Sequence, residues 1–166
     1  MEVRLPGSAL RREALAVARR SVSIDVVIAA PIEVVWSVIA DARRFNEWTM
    51  VRRTELEREG SPTPDGVGAI RRFSTAGVAS REEIVAFEPP HHLGYVLLSG
   101  LPVIGYRADI RLEIETAGST RLSWSSTFDT RRGLGRVMER FIAFVLGDFV
   151  RRLGREAPRR SAVGHR

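Results

Sequence analysis

Hydrophobic and polar residues alternate along most of the middle of the chain. The clearest case is residues 106–115, where Tyr106, Ala108, Ile110 and Leu112 interleave with charged residues. Successive side chains of a strand point to opposite faces, so this pattern predicts an antiparallel strand with one buried face and one solvated face. The same criteria, with turn residues between the segments, predict strands over residues 22–28, 51–59, 68–75, 79–87, 93–98 and 120–128.

Two short helices are predicted after the first strand. Ile32, Val35, Trp36 and Ile39 follow the i, i+3, i+4, i+7 spacing of a helix with one buried face. A second short helix is predicted over residues 42–48.

The chain closes with a predicted helix over residues 133–156, which is about 36 Å long at 1.5 Å per residue. A helix packed on one side usually carries an apolar stripe of about 100°. The apolar arc here is nearly twice as wide, as we expect for a helix that a concave sheet surrounds. It contains Leu134, Val137, Met138, Phe141, Ile142, Phe144, Val145, Phe149 and Leu153.

These elements predict an α+β domain over residues 21–156. Residues 1–20 are interpreted as an N-terminal helical extension, and residues 157–166 as a disordered basic tail. The chain has no cysteine, no recognisable signal peptide and no apolar run near the roughly 20 residues of a membrane span, so a cytoplasmic protein is expected.

The net charge of +6 is concentrated at the ends of the chain. Residues 1–20 carry +3 and residues 151–166 carry +5, whereas residues 21–150 carry −2. A folded region that is slightly acidic makes nucleic-acid binding unlikely. Peripheral contact of the Arg-rich segment 151–160 with acidic lipids or a protein surface remains an alternative. The sequence does not distinguish a monomer from a homodimer.

Four local patterns, in this order, resemble one known family. They are AAPIEVVW at residues 29–36, the segment from Asp41 to Trp48, GVG at residues 66–68, and EIVAFEPPHHL at residues 83–93. Together they resemble the START-like (SRPBCC) superfamily, in particular its polyketide cyclase/dehydrase-like branch. This resemblance covers residues 22–156 and implies the helix-grip fold, a curved antiparallel sheet of about seven strands around a long C-terminal helix, with two short helices after the first strand.

The resemblance also implies a cavity between the sheet and the long helix. The expected function is binding, transport or sequestration of a small hydrophobic molecule such as a lipid, quinone or polyketide. The alternative is a cofactor-independent polyketide aromatase/cyclase or dehydratase that uses the same cavity. The expected wall residues are Phe73 or Arg72, Tyr95, Tyr106 and Trp124 from strands, and Trp48, Phe141, Phe144 and Val145 from helices.

Asp148 is the candidate catalytic residue. On a helical wheel it lies about 20° from Phe141, inside the apolar arc. If it faces the cavity, loss of solvation would raise its pKa and suit it to acid–base chemistry or ligand anchoring. The alternative is an ion pair with Arg152, one helical turn later.

Arg72 and Glu82 lie on strands that are expected to pair. If both side chains point inward, they form a buried ion pair able to bind a ligand hydroxyl or carboxylate. A register that differs by one residue would place both in solvent.

No metal or cofactor is expected. His91 and His92 are adjacent on a strand, so their side chains point to opposite faces, and His165 is in the tail. Ser123, Ser125 and Ser126 have no evident His–Asp partners, and nucleotide-binding glycine patterns are absent.

Overall fold

The computed structural model describes residues 18–163, which contain a seven-stranded antiparallel sheet and three α-helices. This architecture confirms the predicted fold. The strands are β1 Ala18–Ile28, β2 Arg53–Arg58, β3 Ile70–Thr75, β4 Val78–Glu88, β5 His92–Ser99, β6 Ile104–Thr116 and β7 Ser119–Thr130. The helices are α1 Ile32–Ala40, α2 Phe45–Trp48, with a short 3-10 helix Ala42–Arg44 before it, and α3 Gly135–Val163.

The sheet has the order β1-β7-β6-β5-β4-β3-β2, so β2 and β1 form its two edges. Its ladders shift register in β2, in β4 and near both ends of β6. Bulges of this kind increase the local twist and bend a strand, which accounts for the curvature of the sheet.

The core lies between the concave face of the sheet and the helices. Strand residues at alternate positions point inward, and α3 adds Ile142, Leu146, Val150 and Leu153 from one face. The inward-facing strand residues include Arg71, Phe73, Glu82, Ile84, Leu93, Tyr95, Tyr106, Ala108, Ile110, Leu112, Leu122, Trp124 and Phe128.

The ends of the domain differ from expectation. Residues 18–20, expected in the helical extension, are the first part of β1; residues 1–17 and 164–166 lie outside the described residues. At the other end α3 continues through Pro158 to Val163, so residues 157–163 are helical and not a disordered tail. Ala157 is buried, and Arg160 donates a hydrogen bond to Glu47 of α2 at 3.4 Å, which holds the helix on the domain beyond the proline.

None of the helices between residues 18 and 163 combines the length and hydropathy that a transmembrane span requires.

Candidate functional site

A cavity of about 180 Å³ lies between α3 and the concave face of the sheet. Most of its wall is apolar, and the polar exceptions are Arg71, Ser80, Glu82 and Tyr95. A mostly apolar pocket with a few converging polar groups is the usual form of a small-molecule site. The apolar wall includes Phe45, Phe73, Leu93, Trp124, Val145 and Phe149.

Phe149 connects the helix to the wall of the cavity. Its ring lies 4.6 Å from that of Trp48, 5.0 Å from that of Trp124 and 5.4 Å from that of Phe45, measured between centroids. All three contacts are edge-to-face, an arrangement that aromatic pairs favour. Phe45 in turn stacks on Phe73 at 5.1 Å. One aromatic cluster therefore joins α2, α3, β3 and β7 around the cavity.

The main polar feature of the cavity is the ion pair between Arg71 and Glu82. These residues are direct partners on β3 and β4, and their side chains are only 2% and 10% exposed. Arg71 donates from Nε to Oε1 of Glu82 at 2.9 Å and also from Nη2 to the same oxygen. Its guanidinium also lies 5.6 Å from the ring centroid of Phe45 and 5.7 Å from that of Phe73.

The pair leaves one donor without a partner. Arg71 Nη1 is buried and has no hydrogen-bond partner among the described residues. Burial raises the pKa of the Glu82 carboxyl above its ordinary range, against the opposing effect of the nearby Arg71 guanidinium. The cavity wall thus includes a guanidinium with one nitrogen that lacks a partner among the described residues, beside a carboxyl whose ionised form is disfavoured by burial.

Two tyrosines extend this polar region. Tyr95 and Tyr106 are neighbours beside the cavity, with ring centroids 6.1 Å apart. Burial raises the pKa of both phenols, that of Tyr95 most strongly. Both therefore stay protonated at neutral pH and can donate a hydrogen bond. Trp124 Nε1 is another buried donor without a partner among residues 18–163.

Of the predicted wall residues, five line the cavity: Phe73, Glu82, Tyr95, Trp124 and Val145. Trp48 and Tyr106 lie one layer behind the wall and contact the wall residues Phe149 and Tyr95. Arg72, Phe141, Phe144 and Asp148 are not part of the wall.

Arg72 lies on the outer face of the sheet, so of the two alternatives Phe73 and Arg72 it is Phe73 that faces the cavity. Arg72 pairs with Arg81 across the ladder, and its side chain is 45% exposed near Glu57. The inward-facing arginine is Arg71, which the sequence reasoning missed. The sequence contains the information needed to assign Arg71 to the inner face. Residues two apart on a strand share a face, so an inward-facing Phe73 requires an inward-facing Arg71.

Asp148 does not point into the cavity. Its carboxylate accepts hydrogen bonds from Arg151 at 2.6 Å and from Arg152 at 2.7 Å. These bonds, that of Arg152 first, lower the pKa of Asp148, whereas the catalytic hypothesis required a raised one. Phe141 and Phe144 are likewise outside the cavity, with exposed side chains. The ion pair with Arg152 is therefore the correct alternative for Asp148.

Comparisons with known proteins bear on the family and the fold of the chain. The model of the family described as polyketide cyclase / dehydrase and lipid transport matches residues 19–157. A search among curated proteins finds no match to this sequence.

Solved structures of low sequence identity share the fold. A START superfamily protein from Mycobacterium smegmatis is 12% identical, with a TM-score of 0.73 over 84% of this chain and 97% of that one. The Zhui aromatase/cyclase from a Streptomyces species is 22% identical, with a TM-score of 0.71 over 86% and 96% of the two chains. A norcoclaurine synthase point mutant from Thalictrum flavum is 14% identical, with a TM-score of 0.70 over 87% and 98%.

Proposed function

Because this chain belongs to the polyketide cyclase/dehydrase and lipid transport family, we propose that it binds a compact hydrophobic molecule carrying an oxygen acceptor. The site is the cavity between α3 and the sheet. The apolar wall supplies most of the affinity, and Arg71 orients the ligand through its oxygen atom. The observation that carries the proposal is the buried Arg71 Nη1 donor, which has no partner among the described residues.

The apolar contribution to affinity follows from the burial of ligand surface. Removing apolar surface from water contributes about 25 cal/mol per Å², so covering roughly 200 Å² of a ligand contributes about 5 kcal/mol before the entropy of association is subtracted. The aromatic rings of Phe45, Trp124 and Phe149 form a wall that suits a flat ring system.

The need for an acceptor oxygen in the ligand follows from the hydrogen-bond donors around the cavity. A buried N–H without a partner costs free energy, and a bond to a charged donor is stronger than one between neutral groups. Arg71 Nη1 and Trp124 Nε1 are both donors, and Tyr95 remains a protonated phenol. A carbonyl, carboxylate or phenolate oxygen of the ligand would satisfy such donors, whereas a ligand ammonium group, which has only donors, would not.

The cavity volume limits ligand size. A dry cavity of roughly 150 Å³ accommodates benzene, and drug-sized ligands usually occupy about 300–1,000 Å³. At about 180 Å³, this cavity suits one or two fused rings. A long lipid or extended polyketide would require α3 to move away from the sheet.

A matched pair of ligands tests the proposal. 2-Acetylnaphthalene and 2-ethylnaphthalene have nearly the same shape, but only the ketone has an acceptor oxygen. We expect calorimetry to show the ketone binding about tenfold tighter, since a hydrogen bond to a charged donor contributes about 1.5–3 kcal/mol and 1.4 kcal/mol is a factor of ten. Equal affinities, or no binding of either compound, would contradict the proposal.

The neighbouring arginine provides the control variant. Arg71→Met combined with Glu82→Leu removes the donor without leaving a lone buried charge, and it should abolish the preference for the ketone. Arg72→Met changes the same residue type on the outer face and should preserve that preference. A preference that survives in the double variant would show that another donor binds the oxygen.

Catalysis by a cofactor-independent aromatase/cyclase or dehydratase is the second candidate. One observation favours it: Glu82 lies on the cavity wall, and burial raises the pKa of its carboxyl. Such a group is suited to take a proton from carbon next to a carbonyl that Arg71 polarises. The aromatase/cyclase named above is a structural neighbour, although at 22% identity the likeness concerns the fold.

Benzoylacetone in D₂O tests this second candidate. Proton abstraction from the carbon between its two carbonyls exchanges C–H for C–D, which NMR follows directly. We expect the protein to accelerate this exchange, and Glu82→Gln to lose most of the acceleration while still binding 2-acetylnaphthalene. An exchange rate equal to that in buffer would leave binding as the function.

A further inference from the structure

The first half of α3 exposes an apolar face to solvent. Val137, Phe141, Phe144 and Val145 follow the 3- and 4-residue spacing of one helix face. Their exposed fractions are 58%, 44%, 64% and 42%. Large exposed apolar patches on a folded protein usually mark an interaction surface. We refer to these four residues as the α3 outer stripe.

The outer stripe explains the width of the apolar arc. The buried face of α3 is made of Ile142, Leu146, Val150 and Leu153, which pack on the domain. The expectation that the sheet surrounds the whole arc is therefore wrong, because half of the arc remains uncovered among the described residues. Apolar residues that do not stabilise the core require another reason to be there.

The outer stripe is continuous with the cavity. Val145 belongs to the stripe and also lines the cavity, together with Val51 and Ser80. Two further exposed apolar residues adjoin those wall positions: Met50 precedes Val51, and Val78 lies two residues before Ser80 on the same face of β4. An exposed apolar surface thus borders the cavity at Val145.

Unpaired positive charge flanks the stripe. Arg131, Arg132, Arg136 and Arg140 are exposed, and none forms an ion pair with another described residue. The only acidic residue from 131 to 147 is Glu139, which lies 3.6 Å from Arg20.

Three of the other five arginines of α3 are paired. Arg151 and Arg152 both bond Asp148, and Arg160 bonds Glu156. The segment 151–160, which its composition suggested as the contact with acidic lipids, is therefore partly neutralised within the domain, and Arg155 and Arg159 are its arginines without an ion pair among the described residues.

We propose that the α3 outer stripe and its flanking arginines bind an anionic lipid surface. A helix with an apolar face beside basic residues lies in the plane of a membrane interface, with the apolar side chains among the acyl chains and the arginines at the headgroups. The cavity mouth then faces the membrane, and an apolar molecule passes between the two without crossing water. This surface does not depend on which molecule fills the cavity.

The positive charge argues against two other partners for the outer stripe, a second copy of the chain and residues 1–17. A symmetric second copy would bring the same arginines of each subunit together, since a twofold interface uses one patch twice. Residues 1–17 hold Arg4, Arg11 and Arg12 against Glu2 and Glu13, so this segment is also net positive. An anionic surface is the complement that the arginines favour.

Vesicle flotation of the full chain tests the proposal. We expect the protein to float with phosphatidylcholine vesicles containing 30% phosphatidylglycerol and to remain unbound with phosphatidylcholine alone. Replacing Arg136 and Arg140 with Gln should weaken the partition coefficient by about 30-fold, because each arginine near an anionic surface contributes about a factor of five. Binding should also fall as NaCl rises from 0.1 M to 1 M.

The apolar contribution has its own matched variants. Phe141→Ser with Phe144→Ser should abolish flotation, and both sites are exposed, so the fold is retained. Ile114→Ser removes an equally exposed apolar side chain at the β6–β7 turn and should leave flotation unchanged. Absence of flotation with anionic vesicles, or flotation that survives the Phe141/Phe144 substitutions, overturns the proposal.

A fluorescent label distinguishes a membrane from the two other partners that could cover the outer stripe. The chain has no cysteine, so Phe144→Cys creates a single site for an environment-sensitive dye. We expect water-like emission from the labelled protein alone and a blue shift with anionic vesicles. A blue-shifted emission without vesicles overturns the proposal in favour of cover by residues 1–17 if light scattering shows a monomer, or by a second copy if it shows a dimer.

Discussion

Arg71 and Glu82 lie directly opposite each other on β3 and β4, and both side chains point into the space beneath α3. Two N–H groups of Arg71 bond one carboxylate oxygen of Glu82, and its third nitrogen is left without a described partner. A buried pair of this kind contributes little net stability, because the desolvation of both ions offsets their attraction. Under the proposed function, its value to the protein is a fixed cationic donor for the ligand oxygen.

Removing one partner of this pair should cost far more stability than removing both. Arg71→Met leaves the buried Glu82 carboxylate unpaired and should lower the free energy of unfolding by about 3–5 kcal/mol. Adding Glu82→Leu should restore most of that loss, since an apolar pair of similar volume needs no solvation. Urea unfolding measures both values. A single variant as stable as the parent would mean that water reaches the pair.

The two tyrosines should resist ionisation in the folded protein. Tyr95 and Tyr106 are the only tyrosines in the chain, and burial raises the pKa of both. The absorbance of tyrosinate near 295 nm should therefore stay low as the pH passes the ordinary value of about 10 and rise only on unfolding. The unfolded chain releases these protons first, so stability is lost as the pH increases above 10. Tyrosinate forming near pH 10 in the folded protein would place the phenols in water.

Asp148→Asn should affect stability slightly and ligand binding not at all. The residue bonds Arg151 at i+3 and Arg152 at i+4 on the helix surface, and helix pairs of this kind contribute about 0.3–0.5 kcal/mol each. The lowered pKa of Asp148 means that this contribution is present at neutral pH and lost as the pH falls through that pKa. Urea unfolding at pH 7 and binding of 2-acetylnaphthalene measure the two effects. A loss of affinity above threefold would return Asp148 to the site.

The sequence predicts the helices and strands well because their hydrophobic residues recur at regular spacings. Strict alternation from Tyr106 to Leu112 leaves one assignment for β6, and its position is confirmed. The α3 helix ends later than predicted, because residues 157–166 were expected to form a disordered tail. Arg160 and the buried Ala157 provide tertiary contacts that continue the helix, and local propensity cannot reveal these.

The site is less predictable because a shift of one residue along a strand moves a side chain to the other face of the sheet. Arg72 and Arg71 are chemically identical neighbours, and only the inward direction of Phe73 distinguishes them. The wheel position of Asp148 gave its angle on α3 but not which half of the wide apolar arc the domain covers. Val145 is both exposed and part of the cavity wall, a combination that no one-dimensional pattern expresses.

Phe149 should control the size of the ligand. Its ring touches Trp48, Trp124 and Phe45 and fills the space between α3 and the sheet. Phe149→Ala should enlarge the cavity and cost about 3 kcal/mol of stability, the lower end of the range for core phenylalanine truncations, because the ring is only partly buried. It should also shift the preferred ligand from 2-acetylnaphthalene to the three-ring 2-acetylanthracene, because the added ring replaces the lost contacts.

Calorimetry with both ketones measures this shift, and Phe144→Ala is the matched control. Phe144 is 64% exposed on the outer stripe of the same helix and does not line the cavity. Its truncation should leave both affinities and the free energy of unfolding nearly unchanged. If Phe149→Ala weakens both ketones equally, the ring positions α3 but does not set the volume available to the ligand. If Phe144→Ala produces the same shift, the ligand binds outside the cavity, against the exposed face of α3.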